Sequence, residues 1–312
     1  MATPKEQYIR ELNIISERFG HLEDTTVKEM LAMLRDLRAE IAVQLTGVED
    51  FELFRLQQMQ TGIEVLIAQF QRKLDDKMSA AVQQAIQDGG AFVVDPLHKL
   101  GMSGAFFRPS TAQVNAALDF SAALVRKIGD DARNQVSQQV RLSMLGKQTP
   151  FQAMHGVTRA LGVEAHTGIW KKQPDPVQGV AARAETDLRT ELQRAFNLST
   201  FSQQQANAER VPGLTKGWMA SAGVRTRPGH LRAHRDYQRN PIPVDEPFVV
   251  YDIADNGRVR GSAKLMYPGD PRAPARYTVN CRCRQVTYHP AVGRIGSSLD
   301  GRIGAELQRR GL

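Results

Sequence analysis

No stretch of this 312-residue chain approaches the roughly 18 consecutive apolar residues that a membrane-spanning helix needs. The opening MATPKEQYIRELN mixes charges of both signs and has no apolar core of signal-peptide type, so synthesis and assembly in the cytosol are expected. Cysteine is scarce. Cys281 and Cys283 stand one residue apart, too close for an ordinary disulfide across a fold, which leaves a metal site or two buried thiols open. Fixed-period repeats and low-complexity tracts are missing as well.

Catalytic signatures are equally short. The chain holds no P-loop, no G-x-S-x-G and no H-E-x-x-H, and no carboxylate-rich motif of a two-metal nuclease is evident. Asp245 and Glu246 are adjacent in a proline-flanked loop, but neighbours in an extended segment point to opposite sides, so a turn role suits them better than a shared acid site. No residue is assigned as catalytic or cofactor-binding, and a non-enzymatic protein is expected.

What is present is ordinary globular material, with 41% hydrophobic and 24% charged residues and enough length for two domains. The net charge of +8 is unevenly placed. From Glu209 to Leu312 there are 18 Lys and Arg against 9 Asp and Glu, while the preceding residues hold 23 against 24. Lys216 and Lys264 are the only lysines of that last third, and arginine's planar fork suits phosphate or carboxylate contacts. A solvated basic face and a nucleic-acid surface are both compatible with this excess.

From Pro4 to about Asn207 the pattern is helical. Asp24 and the two threonines after it read as a cap, followed by an apolar stripe from Val27 to Leu45 that Gly47 ends. A second helix is expected from about Glu49 to Gln87, about 57 Å long at 1.5 Å per residue, which would project or bridge. Gly89, Gly90, Pro96, Gly101, Gly104 and Pro109 predict a loop. Helices follow over 111–127, 130–145 and 150–161, then a connector, HTGIWKKQPDPVQG, and a long helix from Val177 to about Ala206. Core packing is the expected role of the Met and Leu stripes.

After Pro212 the chain predicts short β pieces, LTKGWMAS, PFVVYDIA, RVRGSAKLMY and CRCRQVTYH, with DNG at 255–257 marking a two-residue hairpin. The tail after Val292 is rich in Gly and Arg. The fold class expected is α+β: an elongated, mainly helical N-terminal region followed by a small β-rich C-terminal domain. The segments run 1–110, 111–208, 209–290 and 291–312.

Cys281 and Cys283, with His230, His234 and His289, could supply tetrahedral zinc ligands, although a one-residue gap needs a strained turn for both sulfurs to reach one ion. Buried thiols and hydrogen-bonded histidines are the alternative. Trp218 precedes the cluster Arg225, Arg227, Arg232, Arg235 and Arg239, and these, with Arg282 and Arg284, are the candidate nucleic-acid contacts. Trp218 lies in an apolar run and reads as core, and Tyr237 is the only aromatic interleaved with those arginines.

The order Trp218, RTRPGH (225–230), PVDEPF (243–248), YPGDPRAPA (267–275) and VNCRC (279–283) resembles the Mu F-like phage head-morphogenesis family. AETDLRTELQRAFN (184–197), with Arg189, Thr190 and Glu191 at its centre, resembles the same family's helix, and the similarity spans roughly residues 140–290. The resemblance implies a minor capsid protein of a tailed bacteriophage, a virion component assembled in the host cytoplasm. It would sit at the portal vertex or inner head in several copies, beside portal, scaffold and major capsid proteins, in contact with packaged double-stranded DNA and without a membrane partner. The alternatives are a DNA-packaging or ejection factor outside the mature virion, and an enzyme of zinc-dependent nuclease or ADP-ribosyltransferase type. Many relatives carry a C-x-x-C pair before the histidine, in a pattern like a zinc knuckle. This chain has RTRPGH there instead, which leaves His230, Cys281 and Cys283 as the implied structural zinc ligands and predicts that the three lie close together.

Overall fold

The computed structural model describes residues 2–46, 53–102, 111–145, 149–162, 179–221, 226–254, 256–292 and 308–309. The expected helix end at Gly47, most of the 166–179 connector, Arg225 and nearly all of the Gly/Arg-rich tail lie outside the described residues. The fold is α+β. Its helices are α1 (Pro4–Thr46), α2 (Leu53–Lys99), α3 (Thr111–Met144), α4 (Pro150–Leu161), α5 (Val180–Ala208), α6 (Pro228–Arg239) and α7 (Ala275–Thr278). The strands, β1 (Thr215–Met219), β2 (Ile242–Pro243), β3 (Phe248–Ile253), β4 (Val259–Leu265) and β5 (Arg284–Tyr288), all follow Ala208. No described helix is long and apolar enough to cross a membrane.

Two compact units emerge, and they do not follow chain order. One combines Met1–Leu22, Val82–Ala117 and Thr190–Leu312, and the other Glu23–Ala81 and Leu118–Arg189. This grouping cuts across the segments read from the sequence, because α1, α2, α3 and α5 each give residues to both units.

The second unit is helical. Its core is the expected stripe of Val27, Met30, Leu34, Leu37, Ile41 and Leu45 on α1, with Ile63, Ile67, Phe70 and Leu74 on α2 and Ile128, Val136 and Val140 on α3. Asp24 is not a cap, since α1 runs unbroken from Pro4. Glu23 and Asp24 instead receive the Arg189 guanidinium at 2.5 and 2.9 Å, and Arg189 also pairs with Glu185 at 3.1 Å. The two helices expected at 111–127 and 130–145 are one, since the apolar stripe continues across Gly129. α4 matches expectation: Thr149 and Gln152 form a reciprocal capping box, proline opens the first turn, and Gly162 closes the helix at φ 72°.

In the first unit α2 continues through Gly89, Gly90 and Pro96, where a loop was expected. Burial of Phe92, Val93, Val94 and Leu97 outweighs the poor propensity of these residues. Gly89 also serves contact. A Cβ there would fall 2.2 Å from the Phe196 carbonyl oxygen, so only glycine lets α2 and α5 approach this closely. The helix stops at Gly101, at φ 78°.

The β pieces fall where the alternation placed them. β1 is central in a three-stranded antiparallel sheet of order β2-β1-β5, with Trp218 opposite Gln285, and β3 and β4 form a separate hairpin. Of the expected DNG turn, Asp255 lies outside the described residues. Ala254 N–H donates to the Arg258 carbonyl, Gly257 sits at φ 80°, and the register shifts between Asp252 and Ile253. α6 was not expected: the arginine-rich stretch is a helix with Pro228 at its first position, burying Leu231, Ala233 and His234 against β1 and β3.

Candidate metal centre and basic surface

One face of α5 organises the site. Thr190, Arg194, Asn197, Phe201 and Gln204 recur at three- and four-residue steps, so they line one side of the helix. Each meets the C-terminal segment. Asn280 N–H donates to Thr190 Oγ1 at 2.8 Å, and Arg194 Nε donates to the Gly269 carbonyl at 3.3 Å. Asn197 Nδ2 donates to the carbonyls of Pro268 and Cys283, both at 2.9 Å, and its Oδ1 accepts from Gln285 N–H. Phe201 stacks with Tyr267 at 5.6 Å, and Gln204 Nε2 donates to Thr287 Oγ1 at 2.9 Å.

These bonds hold the irregular YPGDPRAPA and VNCRC segments. In the first, Gly269 turns at φ 87° and buried Asp270 accepts from Met266 N–H, Arg272 N–H and the Arg272 guanidinium. Burial pushes the Asp270 carboxyl up, but these hydrogen bonds more than offset it and hold the group below the usual carboxylate range. In the second, Asn280 takes the left-handed φ of 52° and swings the chain so that both cysteine side chains point inward.

The swing brings Cys281 and Cys283 to His230, on the first turn of α6. His230 Nδ1 lies 3.3 Å from Cys283 Sγ and 3.4 Å from Cys281 Sγ, all three residues are buried, and Trp218 stands edge-on to the imidazole at 5.4 Å. The sequence expectation that the three lie together holds. The Cys281 thiol is pulled well down by a hydrogen bond from Cys283 and, against its burial, by His230. Burial and the neighbouring Cys281 push Cys283 up.

The three could hold a metal ion, their ligand atoms all lying within 4.8 Å of one another. Zinc–sulfur and zinc–nitrogen bond lengths place tetrahedral S and N ligands about 3.6 Å apart. The two nitrogen–sulfur separations, 3.3 and 3.4 Å, come close to that distance. The other two candidate histidines do not join it. His234 Nδ1 accepts from Ala220 N–H, while His289 bonds the Pro212 carbonyl and Ala291 N–H.

The candidate arginines divide. Arg239 and Arg282 are exposed. Arg232 stacks on the Tyr251 ring at 4.4 Å and, with Arg235, pairs with Asp236, while Arg227 donates to the Val279 carbonyl at 2.7 Å. Arg284 is a correction. It turns inward, donates to the Ser16 carbonyl and lies over the rings of Phe19 and Phe196, so it is built into the fold rather than offered to nucleic acid. Tyr237 is likewise committed to the core, edge-on to Phe248 and bonded to the Val249 main chain. Trp218 is buried, as expected, and Asp245 and Glu246 occupy an exposed turn, with Glu246 N–H donating to the Pro243 carbonyl.

Sequence reasoning passed over Arg260, Arg276 and Tyr277, which share a cleft with Arg227 and His230. Their signal was faint, since they are scattered over strand, turn and short helix. Compared with protein-family models, curated proteins and solved structures, the chain matches none.

Proposed function

We propose that this chain is a minor head protein of a tailed bacteriophage, of the Mu F-like head-morphogenesis type. It is a structural and assembly component rather than an enzyme. Several copies stand at the portal vertex or inner head, touching portal protein, major capsid protein and packaged double-stranded DNA. One observation carries the reading: the separate segments on which the resemblance rests converge. Trp218, His230, Cys281 and Cys283 share one buried cluster, and Thr190, Arg194 and Asn197 of the matching helix clasp the YPGDPRAPA and VNCRC segments. Exposed Arg239 and Arg282 support contact with DNA phosphates.

In this reading His230, Cys281 and Cys283 would hold a structural zinc ion, because two thiolates and an imidazole are donors that zinc favours. Metal analysis of the purified protein finds about one zinc per chain. Zinc-free protein with an unchanged unfolding midpoint retires the metal without touching the head-protein reading. That reading is tested in the particle. Mass spectrometry of purified virions detects the chain, and a particle map puts it beside the portal with its arginines toward DNA. Absence from the virions, or a basic face turned away from both portal and genome, overturns it.

A further inference from the structure

A cleft of about 780 Å³ opens where the first turn of α6, the end of β3, the start of β4 and α7 come together. Its size is that of a small-ligand site. Gly229 sets its floor, since a Cβ there would lie 1.7 Å from the Tyr251 carbonyl oxygen, so α6 can start against β3 only through glycine.

The hydrogen-bonding character of the walls is one-sided. Arg227, Arg260 and Arg276 offer only donors, and Asp252 is the single carboxylate among the described lining residues. That carboxylate is engaged, by Arg260 Nη2 at 2.7 Å and by Arg276 Nε at 3.8 Å. Three guanidiniums against one carboxylate leave an excess of positive charge. The side chains of Arg260 and Arg276 are 59% and 64% exposed, so a ligand reaches them without opening the fold.

Two further lining residues each hold a buried polar atom with no hydrogen-bond partner among the described residues: Tyr277 Oη and His230 Nε2. Both residues are only 2% exposed, and folded proteins rarely leave such atoms unanswered. Nδ1 is turned to the two sulfurs, so Nε2 stands on the opposite side of the ring. The Tyr277 hydroxyl is therefore available as a donor, and His230 Nε2 as a second polar atom. The positive end of α6 adds to them, since its cap residue Arg227 makes no side-chain capping bond.

We propose that this cleft binds a phosphoryl group. Arg260 and Arg276 supply forked contacts, and the Tyr277 hydroxyl donates from behind them. This many donors exceeds what the two oxygens of a carboxylate use, whereas the three oxygens of a phosphoryl group accept them all. The group is carried either by a free phosphoester or by a DNA backbone, and the chemistry at the cleft is the same. The inference goes beyond the head-protein reading, and neither depends on the other.

The test titrates the purified full-length chain with inorganic phosphate, a 5′-mononucleotide and a short DNA duplex, at matched ionic strength, by calorimetry and thermal shift. Arg260→Gln with Arg276→Gln weakens phosphate binding by about tenfold or more, as loss of charge-assisted bonds requires, with unchanged circular dichroism. Tyr277→Phe deletes an atom that has no partner, so it folds at least as stably and still binds about threefold more weakly for want of one donor. Saturable one-to-one mononucleotide binding that the duplex does not match assigns the site to a free phosphoester. Duplex binding that falls with the same substitutions and is competed by phosphate assigns it to DNA. No saturable phosphate binding beyond matched chloride, or a double variant that binds all three probes as well as the parent, overturns the proposal.

Discussion

The two units are stabilised in different ways. The second is a set of long helices whose apolar stripes bury one another, with surface ion pairs such as Lys127 with Asp187 and Lys77 with Glu29 around them. The first has an apolar core too, but its irregular C-terminal segments are positioned by polar side chains of α5 bonded to main chain. Apolar stripes are non-directional and tolerate adjustment, whereas a buried amide that satisfies carbonyls from two separate segments tolerates almost none. The first unit should therefore be the more easily broken by single substitutions.

The sharpest test of that contrast is Asn197→Leu. It leaves the Pro268 and Cys283 carbonyls and the Gln285 N–H buried without partners, a loss of about 4 kcal/mol. The chemical denaturation midpoint, read from Trp218 fluorescence in a Trp170→Phe background, should drop accordingly. A change under about 1 kcal/mol would show that the clasp is incidental.

Glycines give a paired test, one in each unit. Gly89→Ala drives a Cβ into the Phe196 carbonyl, a main-chain atom that cannot step aside, and costs about 2–3 kcal/mol. Gly129→Ala meets only the side chain of Gln71, which can swing away, and the gain in helix propensity keeps the net change within about 1 kcal/mol. Thermal unfolding of both variants ranks them, and equal effects would erase the distinction between the units.

Lys216 provides a smaller, pH-dependent signal. It is buried in the first unit, donates to the Met266 carbonyl and lies over the rings of Phe201 and Phe248. Burial, opposed by Asp245, Asp270 and Glu246, lowers its pKa to about 7 from 10.5. The folded state thus releases this proton before the unfolded state does. Stability gains from this residue as pH rises from about 7 toward 10, and carries the penalty of a buried charge below that window. Lys216→Met should flatten that slope in denaturation midpoints measured across the range, and an unchanged slope would exclude Lys216 as its source. The smallest effect belongs to the second unit's surface, where Lys127→Ala should cost no more than about 0.5 kcal/mol because the lysine side chain is 59% exposed.

Legibility followed the same division. The 3.6-residue stripes of α1, α2 and α3 were visible in sequence, and so were the strands, because burial on one face writes itself into spacing. The misreadings share one cause. Asp24 read as a cap and Gly89, Gly90 and Pro96 as a loop, because each residue type signals a break when only local propensity is weighed. At Asp24 the reason for continuing was Arg189 far along the chain, and at Gly89 it was the backbone of α5. Cys281 and Cys283 could be grouped with His230, His234 and His289 from residue type, and the resemblance singled out His230 among the three. Arg260, Arg276 and Tyr277 could not, since nothing in their spacing marks a shared wall.

By itself, then, the amino-acid order determined the helical stripes, the β pieces after Pro212, the basic balance of the last third and the identity of the sulfur and imidazole donors. Tertiary structure alone decided that His230 meets both sulfurs, that α5 clasps the loops between the strands, and that Arg260 and Arg276 converge on Asp252. The physical reason is range. Periodicity records which side of an element is buried, but the partner that buries it, and the carbonyl or carboxylate that answers a given side chain, is chosen by segments as much as 279 residues away, as Tyr8 and Thr287 illustrate.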